Sequence, residues 1–221
     1  MGININGKVR FGGVPIIRDY IPDGYNLWLK ADSGVTVIND NEIVQWVDQT
    51  GTNVASTQNS GFLSYLDQNS INGLPSISIN GWRVSLLLSN RITNARSIFI
   101  VAKNISNPTT SLNEPILGDT IYSDFRGGTN GYLFESASAN IMNGAGYING
   151  ILTSPSNMMI STSFTLYELI TVGDVRFNSI SLDRGYATWR GNYAEIIIYP
   201  SEISTENRLF VENYLLTKYN L

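Results

Sequence analysis

The side chains that could do chemistry are few and scattered. Glu42, Glu135, Glu168 and Glu195 stand far from one another, so none offers a second carboxylate for paired acid/base work. The chain has no histidine and no cysteine. That removes the commonest general base, the thiol nucleophile, and both the imidazole and the thiolate metal ligand. Ser/Lys or Thr nucleophiles are what remains, and no motif marks one. Glu168 and Glu195 lie inside apolar runs and are expected to be strand-face residues with hydrogen-bonded or solvated carboxylates. No catalytic residue is expected.

One segment has the composition of a binding site. Residues 119–132 read Asp119-Thr120-Ile121-Tyr122-Ser123-Asp124-Phe125-Arg126-Gly127-Gly128-Thr129-Asn130-Gly131-Tyr132. Sugars stack their C–H faces on aromatic rings while carboxylates, amides and guanidinium groups take the hydroxyls, so Tyr122, Asp124, Phe125, Arg126, Asn130 and Tyr132 are candidate glycan contacts. The same mixture also describes an ordinary hairpin with packed tyrosines. Tyr147 and Trp189 are further candidates; Trp189 is followed by Arg190-Gly191. Asp119, Asp124 and Asp174 are the residues a calcium ion would use. A dense Asp-x-Asp/Asn-x-Asp/Asn-Gly loop is absent, and the plainer expectation is acidic turn residues in solvent, with no cofactor and no metal ligand. Asp48 is expected to bond the amides of its own turn, Gln49-Thr50-Gly51.

These residues must be carried by strands. The chain is 43% apolar and 14% charged over 221 residues, enough to bury a large single core, with Gly, Asn, Ser and Thr supplying turns along its length. Ser76-Ile77-Ser78-Ile79-Asn80 alternates, which directs Ile77 and Ile79 inward. Ser97–Ala102 and Ala194–Tyr199 are continuous apolar runs, expected as central strands whose second face is covered by loops, a helix or a partner chain. Leu166–Val172 is a further strand. Asn72-Gly73 and Asn149-Gly150 signal hairpin turns. Trp28 and Trp46 sit in strand patterns and are expected to pack in the core.

One helix is expected, at the C-terminal end. Ser204 caps it, Glu206 falls in the first turn and Lys218 in the last, and Asn220 closes it in the left-handed conformation. Phe210, Val211, Tyr214 and Leu215 form its apolar stripe, with Phe210 and Tyr214 buried against a sheet edge. Residues 1–22 hold Gly and Pro between short apolar pairs and basic side chains. They read as an extended arm or an added edge strand ahead of a domain spanning 23–221. The net charge of −4 and the absence of a Lys/Arg run argue against nucleic acid and against an anionic membrane surface. No apolar run approaches the roughly 18 residues of a membrane helix, and the start lacks the apolar core of a secretory signal.

The order of landmarks resembles the concanavalin A-like lectin/glucanase superfamily, in particular its bacterial and phage laminin-G-like jelly-roll branch. The residues that carry this are Leu27-Trp28-Leu29-Lys30-Ala31-Asp32-Ser33-Gly34, Val44-Gln45-Trp46-Val47-Asp48-Gln49-Thr50-Gly51, and Asn72-Gly73-Leu74-Pro75-Ser76-Ile77 followed by Gly81. The ending carries it too: Gly191-Asn192-Tyr193-Ala194-Glu195-Ile196-Ile197-Ile198-Tyr199 before a helix closing on Lys218-Tyr219. Asn207 and Asn220 depart from the family's usual Glu and Gly. The resemblance implies an all-β, two-sheet antiparallel jelly-roll β-sandwich with one short C-terminal helix. Glucanases of the superfamily carry a Glu-x-Asp-x-x-Glu strand, and this chain has none. The expectation is a non-catalytic phage virion structural protein, a capsid decoration or tail-associated part. It would meet other virion proteins or its own copies through the N-terminal arm, with the jelly roll facing host glycans. The alternative is a lectin-like carbohydrate-binding module of a bacterial surface or secreted protein.

Overall fold

The computed structural model describes residues 21–57, 64–81, 84–106, 114–127, 131–185 and 187–221, with backbone alone at 187. It also describes the backbone of 3–5, 8–11 and 14–16. In chain order the strands are β1 (Ile3–Ile5), β2 (Lys8–Phe11), β3 (Val14–Ile16), β4 (Leu27–Lys30), β5 (Val35–Ile38), β6 (Glu42–Val47), β7 (Val54–Thr57), β8 (Ser64–Ile71), β9 (Leu74–Ile79) and β10 (Leu86–Asn104). After them come β11 (Leu117–Gly118), β12 (Ala145–Ile148), β13 (Ile151–Thr153), β14 (Thr165–Ile180), β15 (Leu182–Asp183), β16 (Ala187–Thr188) and β17 (Gly191–Tyr199). Helix α1 (Ala139–Met142) is one turn long, and α2 (Thr205–Tyr219) is the long C-terminal helix. Half of the chain is strand and 12% helical, which makes the fold all-β.

Local turn chemistry sets the hairpins. Asn72 and Gly73 have φ of 49° and 81°, Asn149 and Gly150 of 47° and 78°. Positive φ at both central residues gives the two-residue turn whose twist matches the strands it joins. These turns close β8 on β9 and β12 on β13, as the sequence reading expected. Asp48 behaves as expected too, accepting from the backbone amides of Thr50 at 2.6 Å and Asn53 at 2.7 Å.

Every strand pairing among the described residues is antiparallel. The main sheet runs β13-β12-β14-β10-β7-β6-β8-β9-β17-β4, with β5 on β6 and β11 on β14. β10 also pairs with β17, which joins β10-β7-β6-β8-β9-β17 into a ring, so the sheet forms a barrel. The 19-residue β10 makes this closure possible by changing neighbours along its length. Leu86–Leu88 pair with β7, whereas Ser97–Asn104 pair with β17. Between those parts its register against β14 shifts three times, and such irregularities let a long strand bend between layers.

The two continuous apolar runs explain the layering. Ile98, Ile100, Ile196 and Ile198 point into the barrel, onto Trp46, Phe177 and Trp189. Phe99, Val101, Ile197 and Tyr199 point the other way and meet Val211, Tyr214, Leu215 and Tyr219 of α2. The expected cover of the second face is therefore the C-terminal helix. Ser204 caps it by accepting from the Asn207 amide at 3.2 Å, and Asn220 closes it at φ 51°. Phe210 differs from the expectation: it is half-exposed, while the buried face carries Arg208, Val211, Glu212, Tyr214, Leu215 and Tyr219. At about 100° per residue, Phe210 lies off the flank of a face centred on Val211 and Leu215. Trp28 also differs in part. It is half-buried, packs in the outer cluster and donates its indole N–H to Glu195, whereas Trp46 is fully buried.

The N-terminal segment departs from a simple arm. β1, β2 and β3 pair with one another as a three-stranded meander, not as one strand added to the main sheet. Ile21 and Pro22 already belong to the barrel's packing. Ile21 is buried in the outer cluster, and the Tyr199 hydroxyl donates to the Pro22 carbonyl at 2.8 Å.

Candidate functional site

The segment singled out above begins where β11 lies on the last residues of β14. Along β14, Val175 and Phe177 point inward, so strand alternation turns Arg176 and Asn178 to the opposite face, where residues 119–124 run. Asn178 holds the loop at Thr120, accepting from its amide at 3.0 Å and donating to its hydroxyl at 3.1 Å. Asp119 accepts the amides of Ile121 at 2.7 Å and Tyr122 at 3.1 Å, and Arg91 reaches it with two bonds of 2.8 and 3.1 Å. Burial alone would raise the Asp119 carboxyl, but Arg91 and the two amides together hold it below the ordinary carboxylate range. Asp124 accepts the Arg176 backbone amide and its Nε, both at 2.9 Å. Its partner's guanidinium is correspondingly held above its ordinary value by that hydrogen bond.

Tyr122 lies over these pairs. The Arg176 guanidinium is 3.8 Å from its ring centroid, within cation–π distance, and that of Arg91 is 5.5 Å away. Tyr122 is half-buried, and the Arg91 and Arg176 side chains keep 27% and 40% of their exposure. The result is an aromatic and two guanidinium groups, fixed by two carboxylates and partly in solvent.

Of the other candidates, Arg126 is exposed on the same loop. Phe125 is only 1% exposed and packs against Phe177 at 5.8 Å and Phe134 at 6.5 Å. It supports the loop from beneath and presents no face to a ligand. Tyr132 is half-buried and bridged to Met159, while Asn130 lies outside the described residues. Tyr147 belongs elsewhere, on β12 with its ring 4.0 Å from the Arg208 guanidinium of α2. Trp189 is fully buried in the barrel interior beside Tyr193, so it is a core residue and not a sugar platform. The calcium candidates are engaged otherwise. Asp119 and Asp124 are paired with arginine, exposed Asp174 bonds Asn140 through its carbonyl, and no metal-sized cluster of three acidic groups occurs among the described residues.

Comparison with family models, with curated proteins and with solved structures gives no match. The chemistry of the chain is therefore carried by its own geometry. Sequence reasoning missed Arg91, Arg176 and Asn178. The signal for two of them was present in Asp174-Val175-Arg176-Phe177-Asn178, where polar and apolar residues alternate on a strand.

A second polar constellation lies under α2. Glu195 is fully buried, yet four donors reach it: Trp28 at 2.6 Å, Tyr214 at 3.0 Å, and Lys218 and Tyr219 at 2.8 Å each. Burial, reinforced by the Glu195 charge, pushes the Tyr219 phenol far up, so it stays a donor. Glu168 is equally buried but poorer in partners. Arg208 donates to one of its oxygens at 2.9 Å and also to Glu212, while the other Glu168 oxygen has no partner. Burial first, and the Glu212 charge second, push Glu168 up to about 7. This constellation anchors the helix and is closed to solvent.

Proposed function

We propose that the chain is a non-catalytic recognition and assembly module, a phage virion component of the capsid-decoration or tail-associated kind, whose barrel presents the Tyr122 platform to host glycans. The observation that carries the recognition half is the half-exposed Tyr122 ring held 3.8 Å from Arg176, with Arg91 beside it and each arginine fixed by an aspartate. A sugar's C–H face fits the ring, and its hydroxyls fit guanidinium and carboxylate groups whose directions are already set. Holding those groups in place beforehand lowers the ordering cost of binding. Each Arg–Asp pair is neutral in sum, which favours a neutral polyhydroxylated ligand over an anion.

The resemblance to the laminin-G-like jelly-roll branch supports the virion reading and the finer fold assignment. Within the barrel, β10 exchanges one neighbour for another along its length, as expected if two jelly-roll layers share a bent strand. The N-terminal meander supplies a segment for meeting other virion proteins or further copies. The sugar platform equally favours an alternative, a lectin-like module of a bacterial surface or secreted protein. A chain starting at Ile21 separates the two: a virion part no longer joins its particle, whereas a lectin binds its sugar as before.

Glycan-array binding tests the platform. Tyr122→Ala is expected to abolish binding at a cost of about 1 kcal/mol, a melting shift of about 2–4 °C for a chain of this size. Failure of the unmodified protein to bind any glycan on a broad array removes the recognition half of the proposal.

A further inference from the structure

The two ends of the main sheet are finished differently. At the β4 end, the Trp28 carbonyl accepts the Gln49 amide at 2.8 Å and the Lys30 carbonyl accepts the Trp46 indole N–H at 2.8 Å, so the edge is capped from within. At the other end stands β13, with Ile151 73% and Leu152 66% exposed, the two most exposed large apolar side chains among the described residues. Edge strands are normally blunted with charge or proline, because their open main chain invites another strand. β13 has neither. Residues 136–167 contain no Asp, Glu, Lys or Arg, in a stretch where the chain's 14% average would place about four. Pro155 comes only after the strand has ended.

The register says which main-chain groups are open. Across the two-residue turn, Ile148 and Ile151 are the hydrogen-bonded pair, Tyr147 and Leu152 the non-hydrogen-bonded pair, and Gly146 and Thr153 the next bonded pair. Ile151 and Thr153 therefore direct N–H and C=O toward β12, and Leu152 directs both away from it. Ser154, next in line, is also extended, at φ −74° and ψ 140°.

We infer that the chain self-associates through this edge, with Leu152 pairing antiparallel with Leu152 of a second copy across a two-fold axis. Each Leu152 exchanges N–H and C=O with its counterpart, Gly150 comes opposite Ser154, and the two exposed side chains on either face of the strand are covered together. A second copy is the occupant because the edge is complementary to itself in this register, as an isologous contact requires. Charge points the same way. The chain carries a net charge of −4, so two copies repel in general, but Ile151, Leu152 and Thr153 at the axis carry none of it, and Glu212, which lies against Gly150, is paired with Arg208. The edge is short, which makes the dimer weak and concentration-dependent.

Sedimentation velocity of the full chain between about 1 and 500 μM tests this, alongside two variants. Leu152→Lys places two like charges at the axis, and Leu152→Pro removes the outward N–H while leaving the bonds to β12. The expected result is a concentration-dependent dimer whose dissociation constant rises at least tenfold in Leu152→Lys, with far-UV circular dichroism unchanged. Leu152→Pro should do the same if it folds, and Leu152→Lys decides if it does not. A chain that stays monomeric throughout overturns the proposal, as does a dimer that Leu152→Lys leaves intact. A dimer lost on starting the chain at Ile21, yet kept in Leu152→Lys, assigns the contact to the N-terminal meander instead.

Discussion

Among the places where arginine meets carboxylate in this molecule, the 119–124 loop and the underside of α2 differ in their arithmetic. On the 119–124 loop, Arg91 serves Asp119 and Arg176 serves Asp124, one cation to one anion, with the cations partly in solvent. Under α2, Arg208 serves both Glu168 and Glu212, with side-chain exposures of 10%, 0% and 11%. One cation stands between two buried anions, and burial first, the Glu212 charge second, push Glu168 up to about 7. Glu195 is partnered differently. It lies under the same helix at the same exposure, but four donors surround it. The number of donors per carboxylate therefore separates the two buried sites.

The largest effect is expected where one cation serves two buried carboxylates; Lys218 is shared as well, but between Glu195 and the more exposed Asp32. Arg208→Ala leaves Glu168 and Glu212 without a positive partner and should cost about 3–5 kcal/mol at pH 8, read from urea unfolding. Lys218→Ala should cost distinctly less, because Trp28, Tyr214 and Tyr219 still bond Glu195; equal costs would break the comparison.

The pH response comes next, and the two regions should respond with opposite sign. Glu168 titrates at about 7 when folded against an ordinary value of 4.5, so the folded chain holds more protons across that window. Its contribution is complete below about 4.5 and is lost as the pH rises through about 7. Glu168→Gln should flatten the stability profile over that interval, and an unchanged slope would assign the proton elsewhere. Asp119 works in reverse. Its carboxyl is held below its ordinary value of 3.8, so its contribution is present above that pH and lost as the pH falls through the folded value.

The smallest effect belongs to the loop. Asp119→Asn should cost about 1–2 kcal/mol at pH 7, the range of a hydrogen bond to a charged group, and weaken glycan binding by loosening Tyr122. A loss of binding without any loss of stability would mean that Asp119 touches the sugar itself.

Much of the fold was legible in the amino-acid sequence because its causes are local. Asn-Gly pairs need no distant partner to adopt positive φ, and Ser204 and Asn220 cap a helix with their own neighbours. The runs at Ser97–Ala102 and Ala194–Tyr199 announced strands covered on both faces, because no polar residue interrupts them on a solvent side except Glu195. The site was less legible. Tyr122 and Asp124 could be singled out by composition, but Phe125 and Trp189 have the same sugar-binding chemistry and are buried in the core. Burial is decided by which face of the barrel a residue meets, and residue type does not carry that information.

The sequence by itself determined the all-β class, the turns, the helix and its ends, and the exclusion of histidine and thiol chemistry, since each follows from interactions within a few residues or from composition. Tertiary structure alone decided which distant charges meet. Arg91 finds Asp119 across 28 positions, Arg176 finds Asp124 across 52, and Arg208 finds Glu168 across 40. It also decided that β10 would close the sheet on itself, that α2 would cover the outer face, and that β13 would be left as an open edge. Those outcomes depend on strand order and register, which arise when distant segments pack together and which no local pattern encodes.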